Sequence, residues 1–279
     1  MAAEVELYNT AYANHAAEVY RQSRIETYGQ DFGQTSWVTT EESNQIPRDL
    51  GLAPSSYVLE IGCGSGQYAL HLADTTGCRI VGIDINDAGI RSAGQLAAAR
   101  ENSAQVCFKH CDASKPLPFN DAVFDAAFSN DAFCHVPQRH ALLRELFRVL
   151  KPGGKLLFSD ALVLAGMVTS DELATRSSLG RYTFSAPGNN DRVVEQAGFR
   201  LLSASDTTPS SALIANRWHA TRESRRDQLI PIEEQRTFDG VQEFLSCVHT
   251  LSAERRILRF VYLAEKPRVS GEEWSRDQN

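Results

Sequence analysis

Three glycines at alternate positions, Gly62, Gly64 and Gly66, stand directly behind the apolar run Tyr57-Val58-Leu59-Glu60-Ile61 and ahead of a helix-forming stretch. Glycine at such a junction lets the backbone take left-handed angles and lets a ligand approach main-chain atoms. The N–H groups that open the following helix then face the ligand's polar end. A tight strand-to-helix turn without a ligand needs no such alternation, and a dinucleotide site spaces its glycines as GxGxxG rather than GxGxG. Further strand ends carry polar groups. Asp84 closes RIVGID, where a carboxylate can accept hydrogen bonds from both hydroxyls of a ribose, a position that by itself would suit NAD equally well. Asp112 closes FKHCD, placed to accept from an adenine amino group. Ser129 and Asn130 close VFDAAFSN, at the mouth where open α/β sheets bind ligands. Each aspartate alone is as readily a helix N-cap; together the polar strand ends describe a nucleoside site.

Acid–base chemistry falls in the next segment, Asn130-Asp131-Ala132-Phe133-Cys134-His135. If this turn is helical, Asp131 and His135 stand at i and i+4 and face one side. A carboxylate there holds a cationic group, and a histidine takes up a proton near neutral pH. The plain alternative makes Asp131 a helix cap and His135 a hydrogen-bonded structural residue.

These residues need an alternating scaffold, and the chain supplies one. From Tyr57 onward, apolar runs (YVLEI, RIVGID, QVCFKHC, VFDAAFS, KLLFSDALVL) are separated by helical stretches at Gln67–Ala73, Ala88–Arg100 and Arg139–Leu150. Uniformly apolar strands between helices indicate βαβ units in a parallel sheet covered on both faces. Ahead of them, residues 1–56 predict helices over Thr10–Ile25 and Thr40–Leu50 around the loop GQDFGQTSW. Residues 164–188 break the rhythm as a cap insertion. Residues 189–265 resume it, with helices over Asn190–Ala197, Ser211–Leu229 and Asp239–Thr250 and strands near Phe199–Ser205 and Ile257–Ala264. Residues 266–279 read as a tail.

Composition narrows the class. The 279 residues carry 28 Lys and Arg against 35 Asp and Glu, a net charge of −7, which disfavours nucleic acid as a partner. Local basic patches such as Arg222, Arg225 and Arg226 read as a solvated helix face. No apolar run reaches the roughly 18–20 residues a membrane span needs, and the N-terminus lacks the pattern of a secretory signal. Six cysteines without a CxxC pair suit free thiols in a cytoplasmic protein, with Cys63, Cys107 and Cys134 in segments that read as buried. The cluster Cys107, His110, Cys111 lacks a second ligand pair, so no metal is expected.

The ordered set VLEIGCGSG, GID, CDA and RVLKPGGKLLFSD resembles the class I S-adenosylmethionine-dependent methyltransferases over about residues 57–163. The resemblance implies a Rossmann-like seven-stranded α/β sheet whose last strand, Ile257–Ala264, is antiparallel, with N-terminal helices and an inserted helical cap. It implies S-adenosylmethionine as cofactor, contacted by Glu60, Gly62, Gly64, Gly66, Asp84, Ile85, Asp112, Ala113, Ser129 and Asn130. More loosely and nearly full length, the chain is similar to small-amine N-methyltransferases of the phosphoethanolamine and sarcosine/dimethylglycine type. NDAFCH resembles their acceptor segment, implying that Asp131 contacts an amine and His135 acts as base or latch. AYANHAAEVY resembles the N-terminal helix in which a tyrosine matching Tyr12 pairs with that histidine, and GRYTF places Tyr182 near the acceptor. Trp37, Trp218 and the N-terminal tyrosines, Tyr28 among them, could form an aromatic enclosure for a methylated ammonium, or simply core.

The chain departs from those relatives in two places. Ala161 stands where they carry a tyrosine after the fifth-strand aspartate, and His249 lies near the place of their phosphate-binding lysine. Phosphoethanolamine itself is therefore not the expected acceptor. The expectation is methyl transfer to a small molecule, at an amine nitrogen. The alternatives are an O- or C-methyltransferase of a natural product or lipid precursor, and a non-catalytic cofactor-binding module. RNA modification is disfavoured by the acidic balance.

Overall fold

The strand order β3-β2-β1-β4-β5-β7-β6 makes a single seven-stranded sheet. It is built from β1 (Tyr57–Ile61), β2 (Arg79–Asp84), β3 (Val106–His110), β4 (Phe124–Ser129), β5 (Leu150–Leu164), β6 (Arg200–Asp206) and β7 (Ile257–Glu265). The computed structural model describes residues 7–100 and 105–268. Strands β1 to β5 are parallel, and β7 runs antiparallel between β5 and β6. The reversal of strand order falls between β1 and β4, where ligands of open α/β sheets bind beyond the carboxyl ends.

Both faces are covered, as the apolar strands require. Helices α4 (Gln67–Thr76) and α3 (Thr40–Leu50) contribute Tyr68, Leu72, Ile46 and Leu50 to one core around Val58, Ile80 and Phe128. Helices α6 (Arg139–Val149) and α8 (Asn189–Gln196) contribute Leu142, Leu146 and Val194 to the opposite core around Leu59, Val81 and Phe158. A third apolar cluster lies off the sheet. It joins α1 (Leu7–Ala13) and α2 (Glu18–Tyr28) with α9 (Thr208–Glu223), α10 (Arg226–Glu233) and α11 (Gln235–Ala253), and reaches Trp37 and Ala161. The chain's first helices and its last ones thus close over the carboxyl end of the sheet.

Several local expectations differ from what is found. The single helix over Thr10–Ile25 is two, because the Asn14 side chain and backbone both donate to Thr10 O and end α1. The long helix over Ser211–Leu229 also divides, at Ser224, whose hydroxyl bonds back to Thr221 O. Cys107 is exposed rather than buried, since β3 is an edge strand whose outward face meets solvent. At the start of the expected tail, Lys266 donates to Phe147 O and Leu150 O; residues 269–279 lie outside the described residues. The segment between β5 and α8 carries a capped helix α7 (Ser170–Arg176), meets the turn after β4 where Thr183 N donates to Cys134 O at 2.8 Å, and touches β5 at Ser185. Among the described residues no helix is long and apolar enough to cross a membrane.

Candidate active site

All three alternate glycines adopt left-handed angles, with φ of +76°, +51° and +72° at Gly62, Gly64 and Gly66. The space around them is tight. A Cβ on Gly62 would stand 2.3 Å from Ala132 Cβ, and one on Gly64 would stand 2.6 Å from the Tyr12 hydroxyl. The first binds the glycine turn to the start of the acid–base segment; the second binds it to α1. Helix α4 begins at Gly66 with no side-chain cap, so its first N–H groups are left to a ligand.

Two carboxylates stand under this turn. Asp84 accepts from Gly64 N and from Asn86 N, each at 2.8 Å, and from the backbone of Ile85. That fixes the carboxylate at the strand end, with acceptor capacity remaining for a ligand hydroxyl. Glu60 is buried, and its Oε2 has no hydrogen-bond partner among the described residues. Burial, with the Asp84 charge adding to it, pushes the Glu60 carboxyl up to about 8. A protonated or unpaired carboxyl held in this way fits a ligand that brings a cation or donor. Ile85 is 64% exposed at the end of β2, an apolar surface beside the carboxylate that suits an aromatic base. Asp112 is partly exposed and folds back to accept from Ser114 N at 2.9 Å, and Ser129 donates to Ile61 O across the strand ends. The cradle and the unpaired Glu60 oxygen fit S-adenosylmethionine, an adenosine bearing a sulfonium and an amino acid.

The Asp131–His135 segment is not the α-helical turn that would set the two side chains at i and i+4. Asp131 has φ +55°, and the helical part is a 3₁₀ turn over Phe133–His135. The left-handed Asp131 aims its carboxylate inward. Oδ1 accepts from Arg259 Nε at 2.9 Å and Ser159 Oγ at 2.7 Å, while Oδ2 accepts from Trp37 N at 2.8 Å. Arg259 in turn reaches Glu42, the third residue of α3 and partner of Thr39 in its capping box, and Thr207. Asp131 therefore ties the sheet to the N-terminal segment, and its charge is matched by Arg259 rather than left for an ammonium group.

His135 faces a different neighbourhood. Its Nδ1 lies 3.1 Å from Arg181 O, which can only accept, so Nδ1 carries the proton and Nε2 is the basic nitrogen. Its ring packs on Tyr182 with centroids 4.5 Å apart. Burial, aided by the Arg176 charge, lowers its pKa below the usual histidine value, keeping the ring neutral near pH 7. Tyr12 lies over Gly64 with its hydroxyl 2.9 Å from Thr35 Oγ1. Burial beside Asp84 raises the Tyr12 phenol well above its ordinary value.

The aromatic set is brought together. Trp218 packs against both Tyr28 and Trp37 with centroids 6.3 and 6.1 Å apart, and Trp37 packs on Phe244. The cation over the Trp37 ring is the protein's own, Arg176, 5.8 Å from the ring centre. The enclosure expected for a methylated ammonium is thus largely core. His249 bonds to Ala212 O in the α9–α11 contact. Sequence reasoning passed over Arg259 and Arg176. For Arg259 a signal exists: a charge inside the apolar run ILRFVY, two residues from the buried Ile257 and so on the same strand face. Arg176 sits in a polar stretch with no period, and nothing there marks it as buried. Among the described residues no group of three or more His, Cys, Asp or Glu could hold a metal.

A seven-stranded sheet of this order, with a glycine cradle at its switch point and an acidic residue ending β2, defines the class I methyltransferase fold. Residues 59–158 match the family described as a methyltransferase domain. Over 175 residues the chain is 29% identical to an O-methyltransferase of Aspergillus sclerotiorum, covering 62% of this chain and 66% of that protein. It is also 29% identical over 225 residues to a wheat (Triticum aestivum) phosphoethanolamine N-methyltransferase, covering 80% of this chain but 44% of that protein. A Haemonchus contortus phosphoethanolamine N-methyltransferase 2, solved with phosphomonomethylethanolamine and S-adenosylhomocysteine, superposes with a TM-score of 0.78 at 20% identity. That match covers 93% of this chain and 60% of the other. The matched stretches thus span two thirds or less of these proteins' own lengths. Residues 59–158 thus resemble a methyltransferase domain, and the whole chain shares the fold of S-adenosylmethionine-dependent methyltransferases.

Proposed function

We propose that this protein transfers a methyl group from S-adenosylmethionine to a small-molecule acceptor held between the glycine cradle, the 3₁₀ turn and the N-terminal helices. The observation that carries the reading is the contact of Gly62 with Ala132, which sets the cofactor cradle against the turn bearing His135. S-adenosylmethionine supplies an electrophilic methyl on a sulfonium; the chain's own residues orient the acceptor, exclude water and accept its proton. Neutral His135, its tautomer set by Arg181 O, takes the proton at Nε2. Glu60, Asp84 and the glycine turn hold the cofactor, with Ile85, Asp112 and Ala113 around the base and Ser129 and Asn130 at the strand end. Tyr12 covers the cradle from α1, and Tyr182 lines the acceptor side.

For the accepting atom, likeness to the wheat enzyme over most of this chain supports an amine nitrogen. A second reading, an oxygen acceptor, is favoured by the Asp131–Arg259 pair, which leaves Asp131 no charge to offer an ammonium. The deciding experiment incubates the protein with S-adenosylmethionine bearing a deuterated methyl group and panels of small amines and hydroxyl compounds. Label on nitrogen supports the first reading and label on oxygen the second. Cofactor binding with no labelled product from either panel or from a fractionated cell extract would count against methyl transfer.

A further inference from the structure

Among the described residues four arginines are buried: Arg139, Arg176, Arg222 and Arg259. Three have their charge matched. Arg139 bonds Asp160 at 2.6 Å, Arg222 holds Glu233 through two bonds, and Arg259 bonds Asp131 and Glu42. Arg176 is different. It is 2% exposed, its Nη1 has no hydrogen-bond partner among the described residues, and its Nη2 makes one long contact of 3.5 Å to Ala161 O. Of the acidic groups nearby, Asp131 is paired with Arg259, Asp160 with Arg139 and Glu172 with Arg256, while Glu243 is exposed to solvent and accepts from Thr175.

A guanidinium removed from water without a counter-charge is strongly disfavoured. The rings of Trp37, Tyr182 and Phe244, 5.2 to 5.8 Å from the guanidinium carbon, offset part of that cost and leave the in-plane N–H donors unanswered. The place is informative. Arg176 ends α7 in the insertion, beside Ala161 just past the carboxylate of β5, and against Tyr182, which packs on His135.

We propose that Arg176 is the anion-binding residue of the acceptor pocket: the acceptor carries an oxyanion, a carboxylate or a phosphate, received by the guanidinium so that its methyl-accepting atom lies toward His135. Resting on the methyl-transfer reading, this narrows that reading's substrate class. A planar fork of donors suits either oxyanion and rejects a neutral amide or ester in its place.

The test is calorimetric titration of the protein saturated with S-adenosylhomocysteine. The probes are inorganic phosphate, glycine and benzoate at constant ionic strength, with chloride as the reference. Wild type should bind one oxyanion class, and which arm responds distinguishes phosphate from carboxylate. Arg176→Met and Arg176→Gln should bind that probe at least ten-fold more weakly, S-adenosylhomocysteine within two-fold of wild type, and Arg176→Lys should fall between. The apo Arg176→Met protein should melt no lower than wild type, as expected when an isolated buried charge is removed. Equal oxyanion affinity in wild type and either neutral variant overturns the proposal, as does a wild type that distinguishes no oxyanion from chloride, whether or not the variants fold. Failure of S-adenosylhomocysteine to bind wild type would instead count against the cofactor and methyl-transfer reading.

Discussion

The Asp131 carboxylate receives the Nε–H of Arg259 at 2.9 Å, deep between the sheet and the N-terminal helices. The pair joins three distant parts of the chain: the loop after β4, strand β7, and through Glu42 the first turn of α3. Removing one partner leaves the other buried and unmatched, which typically costs about 3–5 kcal/mol. Arg259→Met should therefore lower the urea-unfolding free energy by about that amount, and Asp131→Ala should weaken the protein whichever acceptor is bound. A loss for Arg259→Met below about 1 kcal/mol would show that the pair behaves like a surface contact.

Gly62 tests the cradle. With φ at +76° and Ala132 Cβ 2.3 Å from where a side chain would begin, Gly62→Ala combines left-handed strain with overpacking. Each of these contributes about 1–3 kcal/mol. The variant should unfold earlier in a thermal scan and lose measurable S-adenosylhomocysteine binding by calorimetry. Full retention of both properties would mean that the turn can move away from the segment it touches.

As the proposed base, His135 should set the acid limb of activity. Its pKa is lowered by burial and by the Arg176 charge, so the neutral base persists below the ordinary histidine value of 6.5. The profile of kcat/KM against pH should fall only beneath pH 6.5. His135→Asn should reduce kcat by about 10²–10⁴-fold and abolish that limb. An unchanged limb in the variant would assign the proton transfer to another group.

Glu60 gives stability a pH dependence of the opposite sense from most carboxylates. Its folded pKa is raised from 4.5 to about 8, so the folded state holds the proton more tightly than the unfolded one. Its contribution is full below about pH 4.5 and is lost as pH rises through about 8. Glu60→Gln should therefore stabilise the apo protein relative to wild type progressively between those limits, read as the difference in melting temperature across a pH series. A constant difference from pH 5 to 9 would show that Glu60 is already ionised in the folded protein.

Much of the framework is legible in the residue order. The apolar runs that became β1, β2, β4 and β5 are buried on both faces, so their pattern needs no knowledge of a partner strand, and helix α3 has the expected limits. The glycine turn is equally local. Positive φ at alternate positions is a property of three glycines, wherever the chain then travels. Boundaries that depend on a competing side-chain bond, as at Asn14 and Ser224, leave a fainter trace in the sequence.

What the sequence could not decide is which charges are answered. Asp131 and His135 were visible as neighbours, yet whether Asp131 offers its charge to a ligand depends on Arg259, 128 residues away. Trp37 and Trp218 were visible as aromatic, yet the cation over Trp37 is Arg176, delivered by the insertion. Local pattern records what a residue is and how its neighbours repeat. The state of a buried charge is set by groups within a few ångströms in space, and β7, α3 and α7 reach those positions only when the sheet closes.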